Sequence, residues 1–173
     1  MSFVIKGWCP GALRPMMSGD GLVVRVRPRM AMLTADQARG LALAALNHGN
    51  GLIDLTSRGN LQLRGVRAET HLALLDDLDR LGMIDPNESV ERLRNIVVSP
   101  FWSPQDGTAE VVAEVTQVLA LPEFAGLPGK FGVSVDSAAA VLQEVWADIR
   151  IERLGQDWLV RPDGFGVGAR VQQ

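Results

Sequence analysis

Residues 51–66 read GLIDLTSRGNLQLRGV. From 54 to 64 every even position is polar: Asp54, Thr56, Arg58, Asn60, Gln62 and Arg64. The odd positions are Leu55, Ser57, Gly59, Leu61 and Leu63. Side chains alternate across a strand, so this spacing predicts two strands, 51–57 and 60–64, broken at Arg58-Gly59, each with one polar face. Upstream, 22–27 alternates in the same way, with Leu22, Val24 and Val26 on one face and Val23, Arg25 and Arg27 on the other; Pro28 ends it. Between these strands, Thr34-Ala-Asp-Gln37 has capping-box form, and Ala38, Leu41, Ala42, Ala45 and Leu46 recur at helical spacing before Gly49. A second helix is predicted over 69–81, with Leu74, Leu75, Leu78 and Leu81 inward and Gly82 as its stop. The order β-α-β-β-α is that of a split βαβ half-domain.

Around this unit the reading is looser. Residues 1–20 read as an irregular arm, 21–84 as the half-domain, and 90–173 as a second α+β unit after a turn-rich joint at 85–87. In that unit a strand is expected at 95–99 and a helix at 108–121 with Val111, Val112, Val115, Val118 and Leu119 inward. A strand at 130–135, a helix at 138–146 and a hairpin from 149–152 and 158–160 follow, and the tail GFGVGARVQQ reads as a frayed end or an element missing its partner. The fold class is α+β.

The chain has 173 residues, enough to bury roughly 70% of its unfolded surface. One cysteine, Cys9, excludes an internal disulfide, and two histidines, His48 and His71, are too few for a histidine metal cage. No apolar run approaches the roughly 20 residues needed to span a bilayer, and the N-terminus lacks a signal peptide's apolar stretch, so the cytoplasm is expected. Residues 1–70 carry nine basic and four acidic side chains, a net +5; residues 71–173 carry a net −8. A basic first half suggests an anionic partner there. The polar strand faces give it a place: Arg25 and Arg27 can join Arg58, Arg64 and the donors Thr56, Asn60 and Gln62. Arginine binds carboxylates through paired hydrogen bonds, so such a face could hold a polycarboxylate. A solvated outer face of an antiparallel sheet has the same pattern. Single-stranded nucleic acid is disfavoured because these strands carry no aromatic side chain on which bases could stack. The acidic run Asp76, Asp77, Asp79 reads as a solvated helix face, His71 shows no partner, and Trp102, Trp146 and Trp158 read as core or interface anchors.

Three segments in order, CPGALRPMMSGDGLVVRVRP, NGLIDLTSRGNLQLRGV and LPGKFGVSVD, resemble the precorrin-3B synthase branch of the sulfite and nitrite reductase superfamily over about residues 7–136. The resemblance implies a ferredoxin-like half-domain followed by a partial sirohaem-binding-type α/β unit. It implies that one arginine of Arg25-Val26-Arg27-Pro28 contacts tetrapyrrole carboxylates and that Thr56, Arg58 and Gln62 match the T-x-R-x-x-x-Q element, with Arg58 the ligand arginine. Asn60 lies within that element. Leu127, Pro128, Lys130 and Phe131 match L-P-x-K-F-K, whose second lysine is here Gly132. That departure argues against six-electron reduction of sulfite or nitrite. The implied activity is oxygen-dependent hydroxylation and lactone formation on precorrin-3A in cobalamin biosynthesis. The superfamily's 4Fe-4S cluster takes four cysteines from a second half, so this chain alone is expected to bind no cofactor and not to turn over, a sirohaem-like tetrapyrrole excepted. The implied partners are a precorrin or sirohaem-like tetrapyrrole and a second half-subunit or second copy, with neither nucleic acid nor membrane. A non-catalytic tetrapyrrole-binding or assembly module, and a nonfunctional fragment, stay open.

Overall fold

A computed structural model describes residues 9–137 and 141–172. Two strands, β1 (Met16–Ser18) and β2 (Gly21–Val26), form a hairpin; α1 (Ala35–His48), β3 (Ile53–Leu55), β4 (Leu61–Val66) and α2 (His71–Arg80) complete the first unit. Its antiparallel sheet has the order β1-β2-β4-β3. The second unit runs α3 (Glu88–Leu93), β5 (Ile96–Val98), α4 (Thr108–Leu119), β6 (Val133–Asp136), β7 (Ile149–Leu154), β8 (Asp157–Pro162) and β9 (Ala169–Val171). Its sheet has the order β5-β6-β7-β8-β9, parallel from β5 to β7 and antiparallel thereafter. The α+β reading is thus borne out. None of its helices is long and apolar enough to cross a membrane among the described residues.

The first sheet packs Val24, Val26, Leu61, Leu63 and Val66 against Leu41, Ala44 and Ala45 of α1 and Leu74 and Leu78 of α2. Thr34 caps α1 as its sequence predicts: its hydroxyl accepts from the Gln37 amide, and the Gln37 side chain accepts from the Thr34 amide. The buried face of α1 is rotated from the expected one. Ala38 and Ala42 are exposed and Leu46 is 65% exposed, while Ala44 is buried. Gly40 faces the end of α2: a Cβ there would lie 2.5 Å from a methyl of Leu81, so the bare position lets α1 approach that side chain closely. Gln37 adds a bond to the Leu81 carbonyl and His48 one to Asp77, at 3.0 and 2.9 Å.

Other expectations are corrected. The segment read as an irregular arm contains β1, and its residues 1–8 lie outside the described residues. The joint is followed directly by α3, capped by the Asn87 side chain on the Val90 amide. Strand β6 begins at Val133, which leaves Lys130 in the preceding turn. Residues 138–140 of the expected helix 138–146 lie outside the described residues, and 141–146 are turn and irregular chain rather than helix. The tail is not frayed: β9 pairs with β8. In α4, Val111, Val112 and Val115 pack on the second core, but Val118 is 46% exposed.

Candidate functional site: a graded polar face on the first sheet

The polar face of β2, β4 and β3 is a cross-strand row. Arg25 pairs with Gln62, and Gln62 with Asp54, while Val24 pairs with Leu63 and Val26 with Leu61. This face changes character along the strands because the second unit covers only one end of it.

At the open end Arg64 is already neutralised: it bonds the Asp20 carboxylate at 3.2 Å and the Ser18 hydroxyl at 3.3 Å, and lies 3.7 Å from Asp54. At the covered end Arg27 and Asn60, one step beyond the Val26–Leu61 pair, are 4% and 7% exposed. The expectation that Arg27 lines an accessible face is corrected. Its Nε donates to Asn95 Oδ1 at 3.3 Å, and its Nη1 lies 3.7 Å from Glu91 Oε1. Burial pushes its pKa down to about 10, with Glu91 opposing and the Arg25 and Arg94 charges adding. Arg27 therefore joins the two units. Asn60 is buried, and its side-chain amide makes no hydrogen bond among the described residues.

Between these ends lies the accessible part. Arg25 is half-buried, and its Nε and Nη2 share Gln62 Oε1 at 3.2 and 2.7 Å. Burial lowers its pKa; the Cys9 thiol opposes this, and the nearby Arg58 charge adds to it. Cys9 thus sits beside Arg25. Arg58 is half-buried, and its guanidinium makes no hydrogen bond or ion pair among the described residues; it lies 4.2 Å from the Trp146 ring centroid. Lys130 is exposed in its turn.

Thr56 lies past the end of β3, in the loop, and its hydroxyl oxygen is used within it. It accepts from the Arg58 and Asn60 amides at 3.4 and 3.1 Å, while Gly59 at φ +65° lets the hairpin close. Thr56→Val should remove both bonds at nearly constant volume, with an expected loss of about 1–2 kcal/mol. Faster hydrogen exchange at the Arg58 and Asn60 amides, with α1 unaffected, is the outcome to measure.

Two residues that sequence reading missed, Asn95 and Glu91, and one that it read only as a core or interface anchor, Trp146, tie this face to the second unit. Asn95 accepts from Arg27, and its Nδ2 donates to the carbonyls of Gly129 and Phe131 at 3.0 and 3.1 Å, on either side of Lys130. Glu91, 4% exposed, accepts from the Ala12 and Leu13 amides at 2.6 and 3.1 Å, and a Cβ at Gly11 would meet its Oε2 at 2.2 Å. Trp146 meets Arg58. Only Trp146 carried a signal, as an indole expected to anchor an interface. His71, seemingly without a partner, bonds the Ala12 carbonyl at 2.9 Å.

Arg25 and Gln62 thus share one face, the Arg58 charge bears on Arg25 from the turn at 57–59 rather than from a strand, and the turn that carries Lys130 is tethered through Asn95 to Arg27. Cationic and amide donors on a rigid sheet fit the carboxylates of a tetrapyrrole. A thiolate-held four-iron cluster does not fit these residues: Cys9 is the single cysteine, and no group of three or more His, Cys, Asp or Glu able to hold a metal occurs among the described residues.

Residues 14–81 match the nitrite/sulfite reductase ferredoxin-like half domain, so the resemblance read from the sequence is borne out. The chain is similar to a precorrin-3B synthase of Sinorhizobium sp, 54% identical over 63 residues, which cover 36% of this chain and 14% of that protein. It is 29% identical over 138 residues to a ferredoxin–nitrite reductase of Leptolyngbya laminosa, covering 74% of this chain and 27% of the relative. The Mycobacterium tuberculosis NirA protein superposes with a TM-score of 0.61 at 17% identity, over 88% of this chain and 30% of NirA. The fold is that of the sulfite and nitrite reductases, and the chain matches less than a third of the length of each of these proteins.

Proposed function

We propose that this chain is a cytoplasmic, tetrapyrrole-holding part of a precorrin-3B synthase-type oxidoreductase of cobalamin biosynthesis. In it, the unit at 21–84 and the unit at 90–173 grip the acid side chains of a precorrin or sirohaem-like macrocycle. The observation that carries this reading is Arg58, a half-buried guanidinium whose charge bears on Arg25 and which meets no carboxylate among the described residues. Two cations held this close repel each other unless an anion lies between them. Arg25 and Arg58 take carboxylates, Gln62 holds Arg25 in plane, and Lys130 reaches a further acid group from its turn. Arg27, Thr56 and Asn60 serve by holding the units and the hairpin in place. Hydroxylation and lactone formation on precorrin-3A need a redox centre that these residues do not supply, so turnover belongs to a complete assembly.

Titration of the purified chain with sirohaem, followed in the visible spectrum, tests the reading. Arg58→Ala is expected to weaken binding about tenfold to a hundredfold, the worth of a charge-assisted pair, with the fold intact. Equal affinity for parent and variant would sink it.

A second reading, a non-catalytic half-module that pairs with a second half or a second copy, draws on different residues. Edge strand β3 leaves Leu55 81% exposed, with Leu52 and Leu46 nearby at 62% and 65%. Unpaired edges and exposed leucines are ordinarily covered. Light scattering decides it: a strict monomer removes the second copy.

A further inference from the structure

We infer that Trp146 is the positioning residue for Arg58, holding the guanidinium of the β3–β4 hairpin in the one place where it can meet a ligand carboxylate; this rests on the tetrapyrrole reading above. Three observations carry it. First, the stack at 4.2 Å is the one contact that holds the Arg58 guanidinium among the described residues, so without the indole its long side chain would sample many rotamers. A ring contact to the guanidinium carbon uses none of the N–H donors as a hydrogen bond, and so leaves them for an anion.

Second, Trp146 is supplied by the other unit and is firmly mounted. The Gly132 amide donates to Asp148 Oδ2 at 2.8 Å, and the Gly132 carbonyl accepts from the Asp148 amide at 2.8 Å. Arg150 bonds the Leu142, Gln143 and Val145 carbonyls just ahead of the tryptophan. Third, Gly132 is the space the indole needs. A Cβ there would lie 3.0 Å from Trp146 Cζ3, so even an alanine at 132 would press the ring by a few tenths of an ångström from the place it takes over Arg58. Trp146 is 47% exposed, more than a tryptophan serving only the core requires. The bare position 132, the indole and the arginine form one arrangement, in which the hairpin of the first unit is aimed by a residue of the second.

The test is a double-mutant cycle read by sirohaem affinity. Trp146→Leu is expected to weaken binding about tenfold, Trp146→Phe to retain most of it because the ring face remains, and Trp146→Leu to cost nothing further in Arg58→Ala. An equal loss from Trp146→Leu in the Arg58→Ala background would mean that the indole meets the ligand itself, and unchanged affinity in Trp146→Leu would mean that Arg58 needs no support; either overturns the inference. A ligand-free arm separates this failure from that of the tetrapyrrole reading. The indole signal in near-ultraviolet circular dichroism, isolated as parent minus Trp146→Phe, should fall when Arg58 is replaced. If it does not, the pair is wrong whatever the ligand. If it falls while the parent binds no sirohaem, the tetrapyrrole reading fails, and the role in ligand binding fails with it.

Discussion

Replacing Asp85 by alanine is expected to remove about 3–5 kcal/mol of stability, the cost of leaving a buried charge without its partner. Arg94 bonds Asp85 twice, Nε to Oδ1 at 2.9 Å and Nη2 to Oδ2 at 2.8 Å, and its Nη2 also donates to the Arg27 carbonyl at 3.0 Å. Asp85 is 4% exposed and Arg94 9%. With Asp85 removed, the Arg94 and Arg27 guanidiniums would be left with Glu91 as the nearby buried carboxylate. A domain of this size is stabilised by about 5–15 kcal/mol, so the loss is a large share of the whole. Urea unfolding should show a lower midpoint at unchanged slope. A loss below about 1 kcal/mol would mean that water reaches Arg94 and the pair is not a buried one. The exposed Arg14–Glu88 pair, about half open on both sides, is the internal contrast: Arg14→Ala should cost less than about 1 kcal/mol.

How the sequence met the structure follows from what alternation encodes. Period-two spacing in 54–64 reports which side chains share a face, and Arg25, Gln62 and Asp54 do form one row. It does not report what lies over that face. Arg27 has the same parity as Arg25 and looks equivalent to it, yet the second unit buries one and leaves the other half open. The capping box of α1 was legible because it is local. The buried face of α1 was not, because 38–46 is apolar on nearly every side and its phase is set by contacts from outside the helix, among them Leu81 against Gly40. Strands β1 (MMS) and β9 (ARV) carry no apolar alternation of their own and are set by the longer neighbours that offer them a ladder. The site divides in the same way. Arg58 and Gln62 were found from spacing and resemblance, whereas Asn95, Glu91 and Trp146 act across the junction of the units, where no sequence period runs.

Arg150→Ala carries the other large expected effect and bears directly on the site. This side chain is 5% exposed and satisfies three backbone carbonyls, at 2.9 Å to Leu142, 3.0 Å to Gln143 and 2.9 Å to Val145; its Nε donates to Asp163 at 2.5 Å. No alanine can replace those donors; the bond to Leu142 is buried and those to Gln143 and Val145 partly so, and a buried acceptor left unsatisfied costs about 1–3 kcal/mol, so a loss of about 2–4 kcal/mol is expected after local relaxation. The fault should be regional: amide exchange should rise first over 141–148, and sirohaem affinity should fall as far as in Trp146→Leu, because the indole loses its mount. The acid limb supplies a second reading. The hydrogen bond from Arg150 holds the Asp163 carboxyl below its ordinary value of 3.8, although burial acts the other way. A lowered folded value means that the unfolded chain binds the proton more readily. The stabilisation is therefore present above pH 3.8 and is lost as pH falls through the lower folded value. In Arg150→Ala that part of the acid transition should disappear while the neutral-pH deficit remains. An unchanged acid limb, or amide exchange over 141–148 no faster than in the parent, would show that residues 141–148 are held by something other than Arg150, and the rigid mount assigned to Trp146 would have to be sought in the Asp148–Gly132 bonds instead.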